Sequence, residues 1–148
     1  MRMPRTVGEL MTPCPLAVRA SQSVAEAHAR MRERRVHQLP VVEYGGVVGV
    51  ISQRELYVVE SLCHMDTTRV QVEEVMTHAP YVVGPDEPLL PALDRMLARG
   101  FGSILVMDRD RLVGIFTPVD AVKALCHLLR SAEEPELASA SEATAETP

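Results

Sequence analysis

The chain is written twice. Residues 7–62 align with residues 72–127 at a constant offset of 65 positions, without a gap and with 13 identities in 56 pairs. Val7, Glu9, Met11, Thr12, Pro15, Val18, Ala27, Arg30, Met31, Arg34, Val41, Val48 and Gly49 all recur 65 residues later. Chance pairing at ordinary composition gives roughly a third as many. A unit of this size leaves one apolar sheet face uncovered and cannot easily bury it alone. Two copies can pack sheet against sheet about a pseudo-twofold axis, leaving two matching clefts as the natural ligand sites.

Each copy carries the same succession of signals. A short amphipathic turn ("TVGELM" or "QVEEVM") precedes a Pro-containing stretch and a brief extended piece ("LAV" or "YVV"). A helix follows. In the first copy Ser23 stands three residues before Glu26, a capping pattern, with Val24, Ala27, His28 and Met31 at helical spacing. In the second copy Asp86 is the candidate cap, and Leu89, Leu93, Met96 and Leu97 form the stripe. Two apolar runs joined at hairpin length ("YGG" and "RDR") come next, and Gly45 and Gly46 supply positive φ in the first hairpin. A closing helix ends each unit, with Pro118 suited to a first helical position. The expectation is an α+β fold of two β-α-β-β-α units packed through their sheets, over residues 1–64 and 65–130. Residues 131–148 hold five glutamates and no base, and read as a disordered, solvating tail.

Composition narrows the function classes. With 47% hydrophobic residues but two Phe, three Tyr and no Trp, the core must be aliphatic. The net charge of −5 comes from the tail, since residues 1–130 carry 15 basic and 15 acidic groups. A neutral body has no footprint for nucleic acid or an anionic membrane. No run of 18 apolar residues exists, and the start "MRMPRTVGEL" leads into no apolar signal core, which reads as a soluble, cytoplasmic chain. Cys14, Cys63 and Cys126 show no CxxC spacing and read as free thiols.

The stretch "LVGIFTPVDAV" at residues 112–122 ends a buried-looking strand on Thr117 with Asp120 three residues on. Helix capping accounts for such a pair by itself. Its counterpart "VVGVISQREL" makes the same corner with Ser52 and Glu55. These corners, together with "LMT…P…V" and "VHQLPVVE", resemble the cystathionine β-synthase (CBS) domain, and a tandem pair of these is often called a Bateman module. The likeness covers residues 7 to about 128. It implies a regulatory module that binds adenine nucleotides or related adenosyl ligands such as AMP, ADP, ATP or S-adenosylmethionine, and that requires no cofactor. It also implies a homodimer acting on a separate, unknown effector protein. Most members carry the module attached to an enzyme, channel or transporter, and this sequence reads as a stand-alone version.

The resemblance also implies a shared site, in which one repeat's terminal hydroxyl and acid meet the ribose and the other repeat holds the base. Site A then joins Thr117 and Asp120 to Leu16, Val36 and His37. Site B joins Ser52 and Glu55 to Tyr81, Phe101 and Gly102. Glu55 stands where Asp is expected, and "GFGSILVMD" lacks the proline of "HQLPVVE", so the likeness favours site A.

Other motifs read more plainly. Arg30, Arg32 and Arg34 fall on a solvated helix face, while Arg35 and Arg54 lie beside the site segments and are candidates for phosphate. The sequence "LCH" occurs at Cys63-His64 and Cys126-His127, and these residue types can ligate zinc. The two occurrences are 63 residues apart rather than 65, so they are not equivalent in the repeat. Adjacent helical residues also point about 100° apart. Packing is the reading, and no metal is expected. There is no Gly-rich phosphate loop, supported Ser-His-Asp set or HExxH, so no catalytic site is expected. The alternative to a ligand sensor is a ligand-free structural or dimerisation module acting through protein–protein contacts.

Overall fold

Turn chemistry and apolar periodicity place the elements in the order the repeat implies. In the computed structural model, which describes residues 4–13, 16–62 and 64–145 (side chains of the last helix to residue 133), a short helix α1 (Val7–Leu10) and strand β1 (Thr12–Pro13) open the chain. Strand β2 (Val18–Arg19), helix α2 (Val24–Arg34), hairpin β3 (Gln38–Glu43) and β4 (Gly46–Ser52), and helix α3 (Gln53–Leu62) complete the first repeat. The second repeats this with a 3-10 turn (Val72–Glu74), β5 (Thr77–His78), β6 (Val82–Val83), α4 (Leu89–Arg99), β7 (Ile104–Asp108), β8 (Arg111–Phe116) and α5 (Pro118–Ala145). The fold is α+β, with two four-stranded sheets ordered β2-β3-β4-β5 and β6-β7-β8-β1.

That strand order shows an exchange. β1 belongs to the first repeat but pairs antiparallel with β8 of the second, Thr12 opposite Ile115 and Pro13 opposite Gly114. β5 returns the exchange on β4, with Gly49 opposite His78 and Val50 opposite Thr77. The crossing segments also serve the partner's helix starts. Leu89 N donates to Arg5 O at 2.8 Å, and Val24 N donates to Val70 O at 2.8 Å. Each core is therefore mixed in sequence: Val7 lies with Val83, Met96 and Phe116, while Val72 and Met76 lie with Val18, Met31 and Ile51. The boundary drawn between residues 64 and 65 divides the sequence but not the two cores.

The exchange explains three of the repeated identities at once. A Cβ on Gly49 would stand 2.6 Å from Thr77 O and 2.7 Å from Met76 Sδ. One on Gly114 would stand 3.0 Å from Thr12 O and 2.8 Å from Met11 Cγ. The Met-Thr dipeptide of one repeat thus seats on the glycine of the other.

Local details depart from the sequence expectations in three places. Ser23 does cap α2, its Oγ accepting from Glu26 N at 3.1 Å. Asp86, however, does not cap α4: the N-cap is Pro88, two residues later and without a side-chain acceptor, and the Leu89 amide is satisfied by Arg5 instead. Within α4, Ala92 and Met96 are buried, but Leu97 is 83% exposed and faces away from the core. Finally, the backbone of α5 stays helical to Ala145, through most of the segment expected to be disordered. That segment is rich in Ala and Glu, good helix formers, and extending an existing helix avoids the cost of nucleation. Residues 146–148 lie outside the described residues.

Smaller contacts fix the rest. The two left-handed residues of the β3–β4 turn are Tyr44 (φ 51°) and Gly45 (φ 78°), not Gly45 and Gly46 as expected. Gly46 already opens β4, and a two-residue turn with both residues left-handed suits the hairpin twist. His28 on α2 meets Glu60 on α3 at 2.9 Å. Between the repeats, Asp66 accepts from the amide and hydroxyl of Thr68. The Thr68 hydroxyl, then its amide, holds the Asp66 carboxyl below its ordinary range.

Candidate ligand-binding clefts

The strand-to-helix corners carry the polar chemistry. At the end of β8, Asp120 Oδ2 accepts from Thr117 N at 2.9 Å, with Thr117 Oγ1 at 3.4 Å. Its other oxygen accepts from Thr12 Oγ1 at 3.1 Å, delivered by the crossing strand β1. Lys123 Nζ stands 3.9 Å from the same oxygen, and Asp120 is 1% exposed. Capping of α5 is therefore real, and it coexists with a buried carboxylate aimed across the repeat junction.

The other corner is built the same way. Glu55 Oε2 accepts from Ser52 N at 2.8 Å, and Thr77 Oγ1 donates to Glu55 Oε1 at 2.6 Å. Despite its extra methylene, the Glu55 carboxylate reaches the same two kinds of partner. Thr12 and Thr77 escaped the sequence reading of the sites. The signal was present, since both belong to the repeated Met-Thr identity.

The expected residues gather in two clefts. Val36, His37, Thr117 and Asp120 line a cavity of about 410 Å³, cleft A, together with Arg35 and Thr12. Leu16 lines an adjoining recess of about 390 Å³ that shares Thr12 and Val36 with the cleft. Ser52, Glu55, Tyr81, Phe101 and Gly102 all line a larger cavity, cleft B, of about 970 Å³. The phosphate candidates separate, with Arg35 on cleft A and Arg54 on cleft B. His37 and Gln38 line both clefts, and Gln38 Nε2 donates to Gly102 O at 2.7 Å across the repeat junction. His37 Nδ1 lies 2.7 Å from Gln53 Oε1.

The cleft walls differ in kind. Tyr81 and Phe101 stack at 5.0 Å with 21° between their planes, where the first repeat has Leu16 and Val36. Arg35 closes α2 in the left-handed region (φ 55°, ψ 43°), a position held by Gly100 (φ 68°) in the second repeat. Arg35→Gly is expected to stabilise the free protein by about 0.5–1 kcal/mol, because a side chain is disfavoured in that backbone region. Urea denaturation measures it, and a loss of stability would show that the arginine makes a structural contact. Arg30, Arg32 and Arg34 are all exposed, as expected of a solvated face, and Arg30 also donates to Ala17 O at 2.6 Å.

Cys63 lies outside the described residues, and among the described residues no three His, Cys, Asp or Glu side chains gather as a metal site. No helix among the described residues is long and apolar enough to cross a membrane.

Residues 7–59 and 72–127 each match the family model of the CBS domain. The chain belongs to the CBS domain family. Its CBS pair is 33% identical over 118 residues to the carnitine transport ATP-binding protein OpuCA of Listeria monocytogenes, covering 78% of this chain and 28% of that protein's length. A putative acetoin utilization protein (AcuB) from Vibrio cholerae superposes with a TM-score of 0.75 at 26% identity, over 90% of this chain and 98% of the other. CBSX2 of Arabidopsis thaliana, solved in complex with AMP, superposes with a TM-score of 0.71 at 29% identity, over 84% of this chain and 98% of the other. CBS pairs are ligand-binding regulatory modules, and enzymes that carry one use it as a regulatory part. In this pair the exchanged threonines tie each acidic corner to the opening segment of the other repeat. Anything that moves one repeat against the other must work on these corners.

Proposed function

We propose that this CBS pair is a regulatory sensor that binds an adenine nucleotide or related adenosyl ligand between its repeats and catalyses no reaction. The observation that carries this reading is the buried Asp120 corner, where a carboxylate faces a cleft lined by Arg35, Val36 and His37. An ionised carboxylate offers about four acceptor positions. The Thr117 amide and the Thr12 hydroxyl take two good ones, and Thr12 sits on an exposed two-residue strand. Rotation of the Thr12 hydroxyl frees Asp120 to accept both ribose hydroxyls, while Arg35 faces a phosphate. Leu16 and Val36 supply an apolar wall for the base, and His37 a ring nitrogen.

The output runs through relative movement of the repeats. A ligand shifts such an equilibrium only by its differential affinity for the two arrangements. Gln38, bonded across the junction and facing both clefts, is placed to report that movement. Exposed apolar residues on α3 (Tyr57, Val58, Leu62) and α5 (Val119, Val122, Leu125, Leu129) support a homodimer formed through these helices. The effector is a separate protein, and the compartment is the cytoplasm.

A second reading has its own support. Both corner acids already have partners, and Tyr81 and Phe101 stack on each other, which suits a ligand-free dimerisation module. Thermal melting separates the two. A ligand present at about 100 times its dissociation constant adds about 2.7 kcal/mol. The sensor reading therefore expects a rise of several degrees in Tm with AMP. Unchanged melting with AMP, ADP, ATP and S-adenosylmethionine, the dimer being intact, would leave the structural module.

A further inference from the structure

We infer that the two clefts divide adenosyl ligands by charge. Cleft A takes a nucleoside 5′-phosphate, and cleft B takes an adenosyl group with a 5′-thio substituent and no phosphate, best a sulfonium. The inference rests on the adenosyl-binding reading above and deepens it.

The clefts are related by the repeat, so their differences can be read position by position. Arg35 lines cleft A, and Arg34 lines the recess beside it. Lys123, 3.9 Å from Asp120 Oδ1, is not among the residues lining its cleft. Against the arginines stands one acid, Asp120, buried and hydrogen-bonded. In cleft B the position of Arg35 is held by Gly100, and that of Lys123 by Val58. Among the described residues lining cleft B, Arg54 is the one Arg or Lys, and it is outweighed by Glu55 and Glu74. Arg95 lies over the Tyr81 ring at 5.5 Å and is not among the residues lining the cleft. His37 faces both clefts and so does not distinguish them.

A phosphate dianion therefore meets Arg35 with a single, already hydrogen-bonded carboxylate in cleft A, and two carboxylates against one arginine in cleft B. Charge of the wrong sign at close range costs a factor of about ten or more in affinity. Size agrees with charge. Cleft B, about 970 Å³, is larger than cleft A, about 410 Å³ with an adjoining recess of about 390 Å³, and has room for an aminoacyl-length substituent. A sulfonium and ammonium pair is attracted by Glu55 and Glu74, whereas a neutral thioether gains only the apolar and aromatic wall.

The test is calorimetric titration of the full chain with AMP, 5′-methylthioadenosine and S-adenosylmethionine, each alone and after saturation with another. AMP and methylthioadenosine are expected to bind together. Arg35→Gly should weaken AMP about tenfold and leave S-adenosylmethionine unchanged. Glu74→Gln keeps the side-chain oxygen that accepts from Gln71 N but removes the charge. It should weaken S-adenosylmethionine about tenfold, leaving methylthioadenosine and AMP unchanged. One-for-one displacement of methylthioadenosine by AMP, or equal weakening of AMP and S-adenosylmethionine by Arg35→Gly, would overturn the division while adenosyl binding stood. Failure of all three compounds to bind would overturn the adenosyl reading and the division with it.

Discussion

Replacing Asp120 with alanine should weaken AMP binding about a hundredfold and lower the stability of the free protein by about 1–3 kcal/mol. The binding loss follows from two ribose hydroxyls that lose a charged acceptor, each such bond contributing about 1.5–3 kcal/mol, partly offset by water. A net 2.8 kcal/mol corresponds to about a hundredfold in dissociation constant. The stability loss has a separate source. Thr117 N and Thr12 Oγ1 both donate to this carboxylate, and a part-buried donor left without a partner carries a desolvation cost. Asp120→Asn separates the two effects. It keeps one acceptor oxygen for Thr117 N, so it folds with a smaller loss, but it cannot accept from two hydroxyls as a carboxylate does. Calorimetry with AMP and urea denaturation of both variants measure the pair of effects. Binding by Asp120→Asn at wild-type affinity would remove the ribose from this corner.

The second large effect lies at the exchanged strands. Gly49→Ala and Gly114→Ala should each destabilise by about 1–3 kcal/mol, and the double variant by close to the sum. The added Cβ meets a backbone carbonyl in both places, Thr77 O at 2.6 Å and Thr12 O at 3.0 Å. A carbonyl fixed in a strand cannot swing aside as the end of a side chain can. The crossing segment must lift, taking with it the threonine that steadies the corner acid. Amide exchange around residues 6–13 should quicken in Gly114→Ala, and around residues 71–78 in Gly49→Ala. A loss below about 0.5 kcal/mol in both single variants would mean that the crossing segments are not seated as described.

What the sequence made legible here was whatever repeats locally. The spacing of Val24, Ala27 and Met31 gave the core face of α2, and "YGG" gave the first hairpin and its left-handed Gly45, though not the left-handed Tyr44. The constant offset gave the order of elements and the two families of candidate site residues, which line clefts A and B except for Leu16, in the recess beside cleft A. The exchange of β1 and β5 was not legible. A two-residue strand has no alternation to read, and a perfect repeat pairs equally well with its own body or its neighbour's. For the same reason Thr12 and Thr77 passed as unremarkable identities, although each completes an acid corner more than 20 residues away. Asp86 misled because its type suits a cap while its position, two residues before the true N-cap, does not. The acidic segment misled through its charge, since its alanines and glutamates also favour helix.

Native mass spectrometry of the protein taken gently from cells tests the central claim most directly, reading assembly and retained small molecules in one spectrum. The expected result is a dimer carrying an adduct with the mass of an adenosyl ligand, which Asp120→Ala reduces or removes. A wild-type protein with no such adduct, and none formed on adding AMP, would contradict the account.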